Sequence, residues 1–513
     1  MKSVNYKVIL NLSGVLLSIN ALFMFISMFV SLYFSDPLTF PFLFSALIIG
    51  SLGLGMIYTT KDSIKHISKR EGYLVVFIGW LFLIISGCIP YFLAYYYLPN
   101  EDLLHNDFNL VNIFFETVSG YTATGSSIFE DPQNLPKSIL FWRSTTNWIG
   151  GMGIIVLTIA ILPFLGIGGR QLFLAEAPGI YTDKIHPRIT DTAKNLWILY
   201  VVLTLGFTVL LYFSGMNWFD AANHTMSAIS TGGFSTKNEG LAYWFDNIPV
   251  QYILIILMFI GGTNFTLIYL MIKGQFNKVW NNEEFRWYFG LILLITTIIF
   301  CALFFYVYPN QINTTPNFII FEHALRSSLF HVVSIISTTA MFIEDYTSWV
   351  TVTSLIFFAL FFIGGSAGST SGGITVIRQI ILIKNSLTEF KRILHPNAIV
   401  PVRYNKKAIP ESVVFHVMAF FVIYMFVWIA STILFAMLNY GIDVSTDDIL
   451  SSITVTASTL GNVGIAIGEF GPGKTFQEIT IGSKLLLCFL MVLGRLELFT
   501  ILILFSPNFW KNN

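Results

Sequence analysis

Glycine, serine and threonine recur in four short runs of this chain in a pattern suited to holding a partly dehydrated cation. The runs are Ser119–Ser126 (SGYTATGS), Ser230–Ser235 (STGGFS), Ser337–Phe342 (STTAMF) and Thr459–Ile465 (TLGNVGI). They offer backbone carbonyls, with uncharged hydroxyls from Thr122, Thr124, Thr231, Thr338 and Thr339, and no carboxylate. A ring of such oxygens replaces the hydration shell of a weakly hydrated monovalent ion, whereas Ca²⁺ and Mg²⁺ favour carboxylates. Glycine has a defined use here, because carbonyls can line an axis only if the backbone takes dihedrals that L-residues avoid. With Gly125, Gly233, Ala340 and Gly464 as equivalent points, the separations are 108, 107 and 124 residues. One such cluster alone reads as a helix-packing patch. Four in one register read as an internal repeat around one axis.

The elements that must hold these loops follow from hydropathy. Each run comes after an apolar stretch of about 10–15 residues, short of the roughly 20 needed to cross a bilayer, and precedes a run long enough to cross. A half-helix of this kind ends near mid-membrane with its carbonyl end inward, where partial negative charge favours a cation. Hydrophobic residues make up 55% of the chain and charged residues 11%, with a mean hydropathy of +0.72; a soluble chain of this length needs far more polar surface. The net charge of zero leaves no electrostatic case for nucleic acid as a partner. Cys88, Cys301 and Cys488 lie singly in apolar runs and read as packing residues, without metal or disulfide spacing.

Ten spans are expected, at about Ile9–Tyr33, Leu38–Tyr58, Tyr73–Tyr96, Lys137–Pro163, Asn195–Phe213, Val250–Met271, Trp287–Tyr308, Trp349–Ile383, Val413–Leu438 and Lys484–Phe505. The first is too long for a cleaved signal peptide and reads as a retained helix. Lys and Arg gather after every second span: Lys61, Lys65, Lys69 and Arg70; Arg170, Lys184, Arg188 and Lys194; Lys273, Lys278 and Arg286; Lys384, Lys391, Arg392, Arg403, Lys406 and Lys407. The opposite connections hold little beyond Lys137, Lys237, Arg326 and Lys474. By the positive-inside rule both termini are cytoplasmic, the four loops enter from outside, and no soluble domain is expected. The expected fold class is an all-α polytopic membrane protein of ten transmembrane helices, with four pseudo-repeats of helix, pore half-helix, filter loop and helix around one pore. The expected divisions are 1–71 (two leading helices), 72–166, 167–273, 274–384 and 385–513 (pore repeats one to four, the gating interruption falling in the third).

Longer motifs carry a resemblance. WIGGMGIIVL (Trp148–Leu157), ILPFLGIGGRQLFLAEAPG (Ile161–Gly179), IGGSAGSTSGG (Ile363–Gly373), HPNA (His395–Ala398) and LGRLELFT (Leu493–Thr500), together with the four loops, make the chain similar to the membrane subunit of the Trk/Ktr/HKT superfamily of potassium transporters, of the bacterial TrkH/TrkG type. The two leading spans match that type. The resemblance implies K⁺ uptake through a fourfold pseudosymmetric pore, a homodimer in the inner membrane, a cytoplasmic TrkA-type nucleotide-binding ring as regulator, and no organic cofactor. It places the ion at Ala123, Thr124 and Gly125; Thr231, Gly232 and Gly233; Thr338, Thr339 and Ala340; and Asn462, Val463 and Gly464. Ala340 departs from the family's glycine, and Met341 stands where an aromatic is usual. A methyl group at a left-handed position costs about 1–2 kcal/mol, so a displaced carbonyl and weaker K⁺ over Na⁺ selectivity are expected there.

The eighth span is interrupted by Gly364, Gly365, Ser366, Ala367, Gly368, Ser369, Thr370, Ser371, Gly372 and Gly373, a composition through which no helix runs well. Unwound backbone at membrane depth must be buried in protein or line a cavity. The segment reads as a flexible gate beneath the filter, as the resemblance also implies. Arg495 falls within the last span, where an arginine is costly and usually functional or paired; in the family the matching arginine adds to the cation barrier. Glu497, two residues on, faces elsewhere on a helix and is not its obvious partner. Glu116 with Arg143, and Glu322 with Arg326, read as bridges or as tuning groups at the outer mouth. His224 and His331 read as hydrogen-bonded packing residues. GIGG (Gly166–Gly169) lacks the Lys-Ser/Thr that a phosphate loop needs. Two alternatives remain, a Na⁺-permeable or weakly selective cation transporter and an intramembrane lipid-modifying enzyme. No nucleophile–base constellation supports the second, so the chain is not expected to be an enzyme.

Overall fold

The computed structural model describes residues 5–61, 69–98, 108–153, 189–308, 317–398, 400–440 and 449–510. Lys65, Arg170, Lys184, Arg188, the GIGG run, the motif at Ile161–Gly179 and the far end of the fourth span lie outside the described residues. The regular secondary structure of the described residues is helical apart from one two-stranded hairpin. Two leading helices, α1 (Tyr6–Phe34) and α2 (Thr39–Thr59), pack on each other and on α3 (Lys69–Tyr97). The first half-helix, α4 (Leu110–Tyr121), and its return helix, α5 (137–153), follow. Then come α6 (Ile189–Phe213), the second half-helix α7 (Trp218–Ile229), and α8 (Ile248–Gly261) with α9 (Phe265–Ile272). The short α10 (Phe276–Trp280) leads to α11 (Glu283–Ala302), the third half-helix α12 (Asn317–Ile336), α13 (Thr351–Leu360) and α14 (Val376–Leu394). The last repeat holds α15 (Glu411–Leu438), the fourth half-helix α16 (Ile449–Leu460), α17 (Ile481–Arg495) and α18 (Leu498–Leu502).

The first two half-helices begin where asparagine side chains cap them. Asn109 accepts from the Asn112 amide at 2.9 Å and Asn217 from the Asp220 amide at 2.7 Å, satisfying donors that a helix start leaves open. Three half-helices have 12 residues each. The third departs from the expected short stretch, running for 20 residues. Its early turns leave Phe318, Ile319 and Phe321 exposed, so the extra length adds apolar surface and not buried polar groups.

Two expected straight spans are broken. α8 and α9 meet at 114°, and α17 meets the segment Leu498–Phe505 at 111°. Apolar composition is the same for a bent helix as for a straight one, so hydropathy did not separate them. The second break turns on Glu497, at a φ of 66°. Among the described residues seven helices are long and apolar enough to cross a membrane, or nine if each bent pair counts as one span. Outward faces such as Phe415, Val422, Phe426, Ile429, Ile433 and Met437 of α15 stay exposed, as an apolar belt against lipid requires. The hairpin pairs β1 (Arg403–Tyr404) with β2 (Lys407–Ala408). Asn405 and Lys406 between them both take positive φ, the two-residue turn that suits strand twist.

Candidate functional site

All four half-helices end in the same way. After α4 the Ala123 amide donates to Gly120 O at 2.9 Å and the Thr124 amide to Ser119 O at 3.0 Å. Thr231 and Gly232 repeat this on Ala228 and Ser227, Thr338 and Thr339 on Ile335 and Ser334, and Asn462 and Val463 on Thr459 and Ser458. This is the paired bonding of a Schellman cap, whose turning residue must be left-handed. Ala123, Thr231, Thr338 and Asn462 take φ of 51°, 55°, 57° and 53°. Two residues later the chain is left-handed again, at Gly125 (81°), Gly233 (80°), Ala340 (58°) and Gly464 (99°). Sequence reasoning found the second turn of each loop through its glycines. It missed the first, which Ala, Thr, Thr and Asn occupy and no glycine marks.

The loops close into a ring whose order can be read from steric fit. A β-carbon on Gly125 would run into Gly232 O, one on Gly233 into Thr339 O, and one on Gly464 into Thr124 O. Each glycine therefore makes room for a carbonyl of the next loop, in the order one, two, three, four, one. Side chains tie the seam between the last loop and the first. Asn462 Nδ2 donates to Thr124 Oγ1 at 2.9 Å, and Ser126 Oγ donates to Gly464 O at 3.0 Å.

Ala340 sits in this ring with the backbone of its three counterparts. Its φ of 58° is left-handed like theirs, a conformation open to alanine at a cost of about 1–2 kcal/mol. What differs is the methyl group. It stands 2.9 Å from where a β-carbon on either Gly233 or Gly464 would lie, so it projects into space that both neighbours leave empty.

Beneath the ring runs the glycine-rich break between α13 and α14. It is tied to several repeats and not loose. Thr370 Oγ1 donates to Ile229 O at 2.9 Å, Ser366 N to Gly262 O at 2.8 Å, and Gly372 N to Thr338 Oγ1 at 2.9 Å. Ala367 N donates to the buried Glu284 carboxylate at 2.6 Å, and Asn264 Nδ2 to Ala367 O at 2.7 Å. Gly364, Gly368 and Gly373 take the positive φ values that let the segment fold under the filter. Arg495 ends α17 and donates to Thr370 O at 2.6 Å and to Gly150 O at 2.9 Å. Among the described residues it meets carbonyls and no carboxylate. Glu497 pairs with Arg378 at the start of α14, and the Arg378 guanidinium lies 4.1 Å over the Phe420 ring.

Around the other end of the loops are buried ion pairs. Arg143 Nε donates to Glu116 at 2.7 Å, and its guanidinium stacks 4.4 Å from the Phe234 ring. Arg326 bonds Glu322 at 2.8 Å and also reaches Gln251. The leading helices reach the first loop through a buried chain: Tyr121 donates to Asn20 Oδ1 at 2.7 Å, and Asn20 Nδ2 to Ser86 Oγ at 2.8 Å.

Four loops of one geometry lie over an anchored glycine-rich segment, an arrangement suited to an ion path. A family model described as TrkH, cation transport protein, matches residues 45–512. The chain belongs to the TrkH family. Within the family, it is 36% identical over 471 residues to the Trk system potassium uptake protein TrkH of Salmonella typhimurium, covering 91% of each chain. It is 32% identical over 516 residues to TrkG of Escherichia coli, over the full length of both. The crystal structure of the potassium transporter TrkH from Vibrio parahaemolyticus superposes with a TM-score of 0.83 at 31% identity, covering 99% of this chain and 100% of that one. Fold and family are thus those that the TrkH/TrkG resemblance implied.

Proposed function

We propose that this chain carries K⁺ across the bacterial inner membrane as the pore-forming subunit of a Trk system. The observation that supports it most is the repeated loop geometry: two left-handed residues in each of four loops, with the glycine of three loops set against a carbonyl of the next. Twelve residues form the ion path, namely Ala123, Thr124, Gly125, Thr231, Gly232, Gly233, Thr338, Thr339, Ala340, Asn462, Val463 and Gly464. The oxygens they supply are uncharged, so a weakly hydrated ion gives up its water there with least loss. Residues Gly364, Gly365, Gly368, Ser369, Thr370, Gly372 and Gly373 with Arg495 act as the gate. A guanidinium held on carbonyls at the foot of the path repels an approaching cation, and removing it needs the segment to release Thr370. The divisions at 72–166, 167–273, 274–384 and 385–513 are the four repeats. Both termini face the cytoplasm, on the evidence of the Lys and Arg distribution, and the partners are a second copy and a TrkA-type ring.

Ala340 favours a second reading in which K⁺ over Na⁺ discrimination is relaxed, because its methyl stands where its neighbours are bare. Rescue of a K⁺-uptake-deficient bacterium at low external K⁺ tests the main reading. The expected result is growth with this chain and its regulatory partner, and loss of K⁺ selectivity when Gly464→Val forces a side chain onto Thr124 O. Wild-type discrimination in purified Gly464→Val would overturn the filter assignment.

A further inference from the structure

One position recurs in the half-helices that composition does not reveal. Glu116, His224, His331 and Val455 each stand seven residues before the first left-handed residue of their loop (123, 231, 338, 462). Seven residues are about two helical turns, so the side chain lies on the filter-bearing face, level with the limb that returns past the helix. In three repeats it bonds that limb. Glu116 accepts from the Ile128 amide at 2.9 Å and from Ser127 Oγ at 3.3 Å. His224 Nε2 lies 3.0 Å from Ser235 Oγ. His331 Nε2 lies 3.2 Å from Glu344 O. In the fourth repeat Val455 is apolar, and the residue before it takes over: Thr454 Oγ1 donates to Ile467 O at 3.1 Å and accepts from Ile467 N at 3.3 Å.

We propose that Glu116, His224 and His331 are positioning residues that brace the returning limbs of the filter, and that the brace in repeat three is complete only when His331 carries a proton on both ring nitrogens. The second part follows from donor and acceptor chemistry. In both histidines Nδ1 sits 2.8 Å from the carbonyl four residues back, Asp220 O for His224 and Ser327 O for His331. A carbonyl only accepts, so Nδ1 must carry hydrogen in each. For His224 the second partner is a hydroxyl, which can donate to a bare Nε2, and the neutral ring satisfies both contacts. For His331 the second partner is another carbonyl. A neutral ring would turn a lone pair towards it, and only the imidazolium donates to both.

His331 is buried, which disfavours a charged ring; the acidic groups beside it work against that cost. On the returning limb Glu344 and Asp345 are the acidic groups, and the Tyr346 and Trp349 rings pack against the imidazole at 5.7 and 5.1 Å. Phe357 of α13 lies 6.4 Å away. On its own helix, Glu322 and Arg326 pair with each other, and His323 Nε2 approaches Glu344 at 3.2 Å. Tyr308, after α11, donates to the same carboxylate at 3.2 Å. Burial works against the Glu344 charge, but His323, Ser327 and the nearby His331 together hold its carboxyl down at about 2. An anion is therefore present beside His331 across the physiological range.

This inference rests on the four loops being the ion filter, so the experiment tests both. Purified protein in liposomes takes up ⁸⁶Rb⁺ against competing Na⁺, with the medium on the filter side stepped from about pH 5.5 to 8.5, a range that spans the ordinary histidine titration. Wild type is expected to lose about 2- to 10-fold of its discrimination as pH rises, the effect of one net hydrogen bond. His331→Gln, which cannot donate at both ends, is expected to show the reduced discrimination at every pH. His224→Gln is expected to keep the wild-type pH profile. A flat wild-type profile overturns the proton requirement, and this measurement does not depend on any variant folding. A profile unchanged in His331→Gln overturns the role of His331, as does one lost only in His323→Gln. Gly464→Val is run alongside. If it loses selectivity while His331→Gln does not, the filter stands and the brace falls. If Gly464→Val keeps full selectivity, the filter reading falls and this inference with it.

Discussion

At the scale of single residues, Ala340 is the clearest test of how the filter works. It pairs a left-handed φ of 58° with a side chain, where glycine carries no such strain. Ala340→Gly is expected to sharpen K⁺ over Na⁺ discrimination and lower the K⁺ concentration for half-maximal uptake. Little should change in melting temperature, because relief of about 1–2 kcal/mol of strain is offset by about 0.4–1 kcal/mol of added freedom in the unfolded chain. Side-by-side ⁸⁶Rb⁺ uptake with Na⁺ competition measures this, and superimposable curves would make Ala340 a neutral substitution. The same residues show what was legible in advance. Gly125, Gly233 and Gly464 announced the second turn of three loops, where a β-carbon would run into the neighbouring carbonyl. Ala123, Thr231, Thr338 and Asn462 announced nothing, since the cap bonds that hold them left-handed are made by backbone and leave no mark on residue type. Arg495 stood out as an intramembrane charge, but its carbonyl partners are brought to it by folding from residues 125 and 345 positions away.

At the scale of elements, breaks in helices do most of the positioning. The turn between α8 and α9 presents the Gly261 and Gly262 carbonyls and the Asn264 side chain to the glycine-rich segment. The turn between α17 and α18 sends Arg495 to the segment itself and Glu497 to the helix that leaves it. Glycine density flagged the interruption before α14, because no helix former occupies it. The other two were missed as bends, although Gly261–Asn264 and Gly494–Glu497 interrupt their apolar runs. The segment is held by its bonds to several repeats, so weakening it should release the path. Deleting Gly368–Gly373 is expected to raise tracer flux in liposomes and weaken dependence on the regulatory partner. Unchanged or lower flux from a correctly folded deletion would remove the gating role.

At the scale of the whole molecule, the two leading helices stand outside the fourfold repeat yet reach its centre. Asn20 of α1 is buried between Ser86 of α3 and Tyr121, the last residue of the first half-helix. Asn20→Leu would leave the buried Tyr121 hydroxyl without its acceptor. The expected cost is about 1–3 kcal/mol, read as a lower melting temperature in detergent, and an unchanged melting temperature would show that the leading pair is not an abutment for the filter. The fourfold plan was legible because spacing survives when side chains diverge. The seam between the last loop and the first was not, since it joins residues 338 apart in the chain. That seam bears on how the protein is made. A ribosome delivers the first three loops long before the fourth, and until Asn462 and Gly464 emerge the Thr124 carbonyl and hydroxyl have no wall on that side. Exposed polar backbone at membrane depth is unfavourable, so the newborn chain has reason to hold its first half-helix near the water, or under the insertion machinery, until the last is threaded. A prematurely terminated product that stops before the fourth loop lacks one side of the ring.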